Sequence, residues 1–424
     1  MLNKLKQKRA FFRKSEFRHN VLTLMTGATI AQAIPIAISP ILTRIYTPED
    51  FGVFALYMSV ASIMSVLATG RYELAIMLPK KDKDAINIVA LSILISFFVS
   101  FISFLIVFVF NTQIANILSS PQIANWLYFI PITVLLTGIY QSFNYWSNRK
   151  KQYKRLATSR VVQSGTTAAS NLAMGFGGFG SSGLILGGIL GQGVAATVLG
   201  KFVFREDRGL FAKINRLKIA VLAKKYKKMP IFNLPNALID GFRLSGMMIL
   251  ISKYFSVASL GQFSLAWKIL QIPISLIGGS ISQVFFQEIS SLKNEELYAV
   301  VTQFIKKASM LSLPMFLIIY FFSEEIFLFV FGHNWKLAGK IASILSPWVF
   351  LNFLSMPLAN ILIILNKQEI ILLVSIIYMI VPLVILILFH TLPLIYILHL
   401  ISISMSSILI FYIWLVFFIL KKEG

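Results

Sequence analysis

Cysteine is absent from the 424 residues. That excludes disulfides, thiol catalysis and thiolate metal sites. Acidic residues are scarce, 16 against 39 lysines and arginines, and there are four histidines. His19, His333, His390 and His399 are scattered and show no ligand spacing, so no metal site is read from them. Charged residues are only 13% of the chain, about half the share of a soluble domain, roughly 25%.

What fills the sequence instead is apolar: 57% of residues are hydrophobic. Runs of about 20 apolar residues recur along the whole length, each enough to cross a hydrocarbon core of roughly 30 Å as a helix. Lipid offers the backbone no hydrogen-bond partner, so spanning segments are helices or closed barrels. These runs are too long and too continuous for barrel strands of about ten alternating residues. The fold class is therefore an all-α polytopic membrane protein with about twelve transmembrane helices. The expected spans are 20–45, 50–69, 85–110, 123–147, 157–177, 180–204, 229–252, 258–281, 301–323, 340–365, 368–389 and 392–420. Breakers such as Thr47-Pro48-Glu49-Asp50 and Ser119-Ser120-Pro121 separate them.

The formal net charge of +23 reads as membrane topology rather than nucleic-acid binding, because of where the cations lie. All but six of the 39 fall in segments that share one side if the helix count is even; the six are Arg44, Arg243, Lys253, Lys268, Lys336 and Lys340. The positive-inside rule then places both termini in the cytoplasm. Segments near 45–50, 111–121, 177–180, 253–258, 324–340 and 389–392 face outward. The organisation expected is a basic amphipathic arm over 1–19, a six-helix bundle over 20–204, a basic cytoplasmic linker over 205–228 and a second six-helix bundle over 229–420. The arm mixes Leu2, Leu5, Phe11, Phe12 and Phe17 with cations, which suits a helix lying on anionic phospholipids rather than a cleaved signal.

The halves resemble each other. A shift of 209 residues lays Gly52, Phe54, Leu56, Ile63 and Leu67 on Gly261, Phe263, Leu265, Ile272 and Leu276, Arg44 on Lys253, Tyr46 on Phe255, and Asn125-Trp126 on Asn334-Trp335. Parallel repeats of this kind are common in transporters, with the substrate site between them.

Gly175-Phe-Gly177-Gly-Phe-Gly180 matches the spacing of a dinucleotide fingerprint. It joins two apolar spans instead of following a strand, so it reads as a turn. Gly183, Gly187 and Gly191 recur every four residues and predict close packing of their helix on a neighbour. Pro35, Pro40, Pro230, Pro235, Pro273, Pro347 and Pro357 fall inside or at the start of spans, where they bend helices. The 37 phenylalanines and 14 tyrosines are assigned to lipid-facing packing and interfacial belts, with no ligand drawn from them.

Charges inside spans are the candidate functional residues, since each costs at least ~2.5 kcal/mol at mid-membrane and so faces a cavity or a partner. Asp240 and Arg243 lie one turn apart near the middle of a span, and Lys268 lies within the next. One reading is a structural Asp240–Arg243 pair, which leaves Lys268 unexplained. The other is a water-filled cavity with excess positive charge, suited to an anion. Arg44 is placed near an outer helix end, and Arg71 with Glu73 near an inner one. For Arg44 and Arg71 the alternative is snorkelling to a headgroup.

The run Leu42-Thr-Arg44-Ile-Tyr46-Thr-Pro48-Glu-Asp50-Phe-Gly52, then Arg71-Tyr72-Glu73-Leu74-Ala-Ile76, resembles the start of the Wzx-type O-antigen (polysaccharide biosynthesis) flippases. Phe232-Asn-Leu-Pro-Asn236-Ala, Leu260-Gly261-Gln-Phe263-Ser-Leu265-Ala266 and Phe331-Gly332-His-Asn-Trp335 carry the resemblance through the second half. It implies the multidrug/oligosaccharidyl-lipid/polysaccharide (MOP) exporter fold, with two pseudo-symmetric six-helix bundles around a central cavity. It implies alternating access that moves undecaprenyl-diphosphate-linked oligosaccharide from inner to outer leaflet. On this reading Arg243, Lys268, Arg44 and Arg71 bind the diphosphate, while Asp240 and Glu73 couple transport to H+ or Na+. No other cofactor is expected. A polysaccharide polymerase and chain-length machinery are the implied protein partners, and nucleic acid is not a partner. A multidrug antiporter of the same fold is the first alternative, but its cationic substrates call for net-acidic spans. A membrane polymerase or glycosyltransferase is the second. It would need a large outer loop with paired acids or a soluble catalytic domain, and the outer connections here are short.

Overall fold

The computed structural model describes residues 26–275, 294–365 and 367–423, with Phe285 and Ile289 between them. The basic arm lies outside the described residues. No strand occurs among those described. The longer helices are α1 (Thr26–Ile45), α2 (Pro48–Leu67), α3 (Asp82–Ile117), α4 (Ile130–Arg149), α5 (Tyr153–Phe176), α6 (Ser181–Glu206), α7 (Arg216–Lys225), α8 (Leu234–Tyr254), α9 (Val257–Leu270), α10 (Asn294–Phe331), α11 (Lys336–Ser355), α12 (Gln368–Leu388) and α13 (Leu394–Glu423). Among the described residues nine helices are long and apolar enough to cross a membrane. A tenth span forms if Pro121–Leu127 and α4, which meet at 49°, are one.

Two expected spans differ from the rest. That over 157–177 is present as α5, but Arg155, Arg160, Gln163, Thr166, Thr167 and Asn171 make it too polar to count as an apolar span by itself. That over 258–281 is interrupted by a turn at Gln271, where α9 ends, and is helical again over 272–275; residues 276–284 lie outside the description.

Contacts divide the chain into two units. The first holds the described residues up to Tyr46 and Tyr57–Gly241; the second holds Thr47–Leu56 and the described residues from Phe242 onward. The start of α2 thus belongs to the second unit and its remainder to the first.

Within the first unit, burial follows the logic of a lipid solvent. Ser92, Ser96 and Ser103 face the interior of α3, while Phe97, Phe98, Phe101 and Phe108 on the same helix are exposed. Hydrocarbon solvates phenylalanine as well as a protein core does, so small residues take the helix–helix interface. The closest packing is α5 on α6. A Cβ on Gly187 would lie 1.9 Å from Asn171 Oδ1, and one on Gly191 would lie 1.9 Å from Thr167 Oγ1. The four-residue glycine repeat lets these backbones approach. Gly178 and Gly180, at φ +74° and +56°, make the turn between the two helices.

Beyond α3 and α4 the first unit ends in ion pairs. Arg149 Nε and Lys150 Nζ donate to Asp82 at 3.0 and 2.8 Å. Asn87 fastens the linker, donating to the Lys213 carbonyl (3.2 Å) and accepting from the Asn215 amide (2.8 Å). Leu222 of α7 joins a core formed by Ile76, Ile86, Trp146 and Val203. Arg155 binds Asp207 at 3.1 Å, with Glu206 beside it, and Trp146 Nε1 donates to Asp207 at 3.0 Å. Arg155 and Asp207 are both buried. Removing one partner of such a pair strands the other, at about 3–5 kcal/mol. Arg155→Met is therefore expected to lower the apparent melting temperature in detergent well below that of Lys150→Met, whose half-exposed amine is screened. Equal melting of the two variants would contradict this assignment.

In the second unit, the Asn334-Trp335 motif anchors two helices. Gln262 of α9 donates to the Asn334 carbonyl (2.6 Å) and accepts from the Ala338 amide (2.9 Å). Phe51 of α2 meets Trp335 edge-on, with ring centroids 4.9 Å apart. The starts of α2 and α9 cross at the two glycines aligned by the 209-residue repeat. A Cβ on Gly52 would lie 1.8 Å from the Val257 carbonyl oxygen, and one on Gly261 would lie 1.8 Å from that of Pro48. Pro48 and Val257 are themselves equivalent under the repeat. The contact is reciprocal, as at a two-fold axis.

Candidate functional site

Arg243 is the tenth residue of α8 and belongs to the second unit. Its guanidinium carbon sits 5.3 Å from the centre of the Tyr378 ring of α12. Arginine over an aromatic face is a favourable cation–π contact, and it leaves the N–H groups at the rim of the guanidinium available. Arg243 has no carboxylate or other hydrogen-bond acceptor among the described residues. Tyr378 is itself fixed: Trp348 Nε1 of α11 donates to its hydroxyl, which donates in turn to Asn352 Oδ1 at 3.4 Å. Trp267 of α9 completes the wall, 5.0 Å from Trp348 between ring centres.

These side chains enclose a cavity of about 240 Å³, lined also by Gln271 of α9, Pro382 of α12 and Met405 of α13. A second cavity of about 260 Å³ shares Arg243, Asn352 and Tyr378 and extends along Ser355, Ser375 and Tyr412. Among the described residues that line either cavity, Arg243 is the only charged one.

The other sequence candidates are placed as follows. Lys268 is the twelfth of the 14 residues of α9, next to Trp267 in the chain. It is exposed and has no hydrogen-bond or ion-pair partner among the described residues. Asp240, three residues before Arg243, is likewise exposed and without such a partner. The ion pair with Arg243 that their spacing permits is not made; Arg243 turns to the Tyr378 ring instead. Arg44, at the end of α1, is exposed and donates back to the Pro40 carbonyl at 3.0 Å. Arg71 and Glu73 lie just past α2 and pair with each other at 3.2 Å. Glu73 is buried and accepts also from the Thr69 hydroxyl. Arg71 holds a left-handed backbone, φ +61°, beside Gly70 at +56°, which brings its side chain back onto Glu73. By unit, Arg243 and Lys268 belong together, and Arg44, Arg71, Glu73 and Asp240 belong to the other.

The sequence reading does not single out Trp267, Trp348, Tyr378, Gln271 or Asn352: it takes charges inside spans as the candidates and draws no ligand from the tyrosines. One local signal existed. Trp348 and Asn352 are four residues apart on one face of α11, and an amide is out of place on a lipid-facing stripe. Among the described residues no cluster of three histidines or carboxylates could hold a metal.

Comparison with known proteins gives concordant matches. A family model described as polysaccharide biosynthesis protein matches residues 41–339. The succinoglycan biosynthesis transport protein ExoT of Rhizobium meliloti (strain 1021) is 20% identical over 320 residues, 72% of this chain and 61% of that protein. The chain thus spans about three-fifths of that relative's length. Among solved structures, the lipid II flippase MurJ in an inward closed conformation superposes with a TM-score of 0.70 at 14% identity, covering 95% of this chain and 89% of that one. An inward-facing multidrug resistance MATE family transporter of the MOP superfamily gives 0.64 at 15%, covering 95% and 96%. A MOP superfamily transporter from Pyrococcus furiosus, reported with a binding pocket of reverse polarity that suggests a different function, gives 0.60 at 16%, with the same coverage. The chain therefore has the fold of these transporters.

Proposed function

The chain belongs to the polysaccharide biosynthesis protein family, and from that premise we propose that it is a flippase. It carries undecaprenyl-diphosphate-linked oligosaccharide from the inner to the outer leaflet of a bacterial cytoplasmic membrane. The observation that carries this reading is the cavity lined by Arg243, the one charged residue among its described lining residues, which has no acceptor among the described residues. A guanidinium held on an aromatic face with its N–H groups unspent is built for a phosphate. Lys268, which follows Trp267 in α9, is not among the residues that line either cavity, and its part in binding rests on the cation excess read from the sequence. The same lining argues against a drug-cation antiporter, which would repel its own substrate. Named relatives that transport polysaccharide or flip lipid II support the assignment by analogy.

Coupling to H+ or Na+ falls to Asp240. It is the acid nearest Arg243 in the chain, and unlike Glu73 it is not already held by an arginine and a hydroxyl. When the diphosphate occupies Arg243, a proton or sodium ion on Asp240 balances the charge moved. The test is reconstitution in proteoliposomes with a fluorescent undecaprenyl-diphosphate oligosaccharide. Wild-type protein is expected to accelerate its movement between leaflets and to respond to an imposed ion gradient. Asp240→Asn, which keeps size and hydrogen bonding but cannot titrate, is expected to bind the lipid yet ignore the gradient. Movement no faster than in protein-free vesicles would sink the flippase reading. A gradient response unchanged in Asp240→Asn would leave Asp240 structural.

Both termini and the linker over 205–228 lie in the cytoplasm on this reading, following the cation distribution. Because the chain has no cysteine, single cysteines report sidedness without background. An impermeant thiol reagent on intact cells is expected to label Phe179→Cys and not Lys218→Cys. The reverse pattern would overturn the topology.

A further inference from the structure

We propose that the cavity beside Arg243 is a sugar subsite, which seats the pyranose ring attached to the phosphate that Arg243 holds. The inference rests on the phosphate reading of Arg243 and adds to it the part of the substrate that differs from one polysaccharide to another. Three features of the cavity point to a sugar.

The wall is aromatic but not self-satisfied. Trp267 and Trp348 are inclined at 46° to each other and so form an angled trough rather than a closed stack. Trp348 and Tyr378 meet edge to face at 67°, with Tyr378 locked by its hydrogen bonds. Rigid rings of this kind offer a flat apolar surface to the C–H face of a pyranose at little entropic cost. Two amides face the same space. Gln271 and Asn352 line the cavity, and neither side-chain NH2 group has an acceptor among the described residues. Neither nitrogen is among the buried polar atoms left without a partner, so both are open to whatever occupies the cavity. Hydroxyls of a sugar would accept from them. Finally, Arg243 stands at the junction of this cavity with the second one, so an anion on it is attached at the edge of the trough.

Other ligand classes leave part of this set unused. Inorganic phosphate has no use for the aromatic trough, a hydrocarbon tail has none for the amides, and an aromatic cation is repelled by Arg243. A hexose 1-phosphate uses all three.

The experiment uses the full chain in detergent micelles, with ligand-observed saturation-transfer NMR as readout. The probes are glucose 1-phosphate, galactose 1-phosphate, N-acetylglucosamine 1-phosphate, their neutral methyl glycosides and inorganic phosphate. At least one sugar 1-phosphate is expected to bind tenfold or more tightly than inorganic phosphate and than its methyl glycoside, with saturation strongest on its ring C–H protons. Trp267→Leu, at a half-buried position that tolerates change, is expected to reduce sugar-phosphate affinity to that of phosphate. Asn352→Leu is expected to alter the ranking of the epimers. Size-exclusion elution reports that each variant is folded, and arginine-dependent phosphate binding by Trp267→Leu reports that its site is intact. Phosphate and sugar phosphates bound alike by wild type, with both lost in Arg243→Gln, would overturn the sugar subsite and leave the flippase reading standing. No binding of any phosphate would overturn both.

Discussion

Arg243→Ala is expected to abolish surface polysaccharide while the protein remains in the membrane at its normal amount. The two halves of that expectation have separate physical causes. A bidentate guanidinium–phosphate contact comprises two charge-assisted hydrogen bonds, each worth about 1.5–3 kcal/mol. Their loss weakens substrate binding by two orders of magnitude or more. Folding loses little, because Arg243 has no acceptor among the described residues and its packing contact is with the Tyr378 ring. Insertion gains, since removing a mid-membrane charge relieves at least ~2.5 kcal/mol. Arg243→Lys is expected to fall between the two, keeping the charge but not the planar fork or the stack on Tyr378. Lys268→Ala is expected to show a weaker form of the same phenotype. Polysaccharide on gels and protein in isolated membranes, measured in a strain lacking the chromosomal copy, separate transport from expression. Normal polysaccharide from the Arg243→Ala, Lys268→Ala double variant would remove the cationic cavity from the mechanism.

How much of this was legible in the sequence depends on whether the signal was local. Lipid-spanning helices are local events of about 20 residues, and the apolar runs located most of them. The exception is instructive: α5 is as polar as many soluble helices, and only its burial against α6 makes it tenable in a bilayer. The four-residue glycine repeat of α6 was readable because the pattern itself encodes close approach. Arg243 was readable because a charge in hydrocarbon is expensive wherever it points. The aromatic trough was not. Trp267, Trp348 and Tyr378 come from three helices distant in the chain, and a periodicity says which residues share a face, not which faces meet. The i, i+3 spacing of Asp240 and Arg243 allowed an ion pair but did not choose the rotamer. Arg71 and Glu73 were marked as mouth residues; the left-handed turn at Gly70 and Arg71 that folds the pair together has no sequence signature beyond the glycine.

The repeat was legible, but that its two copies touch each other at equivalent residues was not, and this contact carries the second large effect. Gly52→Val and Gly261→Val are each expected to suppress polysaccharide export as strongly as Arg243→Ala, by a different route. Each glycine is the fifth residue of its helix, and each faces the carbonyl oxygen of the first residue of the other, Val257 or Pro48. A Cβ would lie 1.8 Å from that oxygen. Ordinary contact begins near 3.4 Å, so the helices would have to part by about 1.6 Å. The obstacle is backbone on both sides, which no rotamer change relieves. Parting α2 from α9 also draws Phe51 off Trp335 and strains the grip of Gln262 on the Asn334 carbonyl. Even alanine carries the offending Cβ, so Gly52→Ala and Gly261→Ala are expected to impair export measurably. Gly165→Ala, where a Cβ meets nothing within 4 Å, is the matched control and is expected to be neutral. Full export by Gly52→Val would show that the crossing is not the close contact it is taken to be.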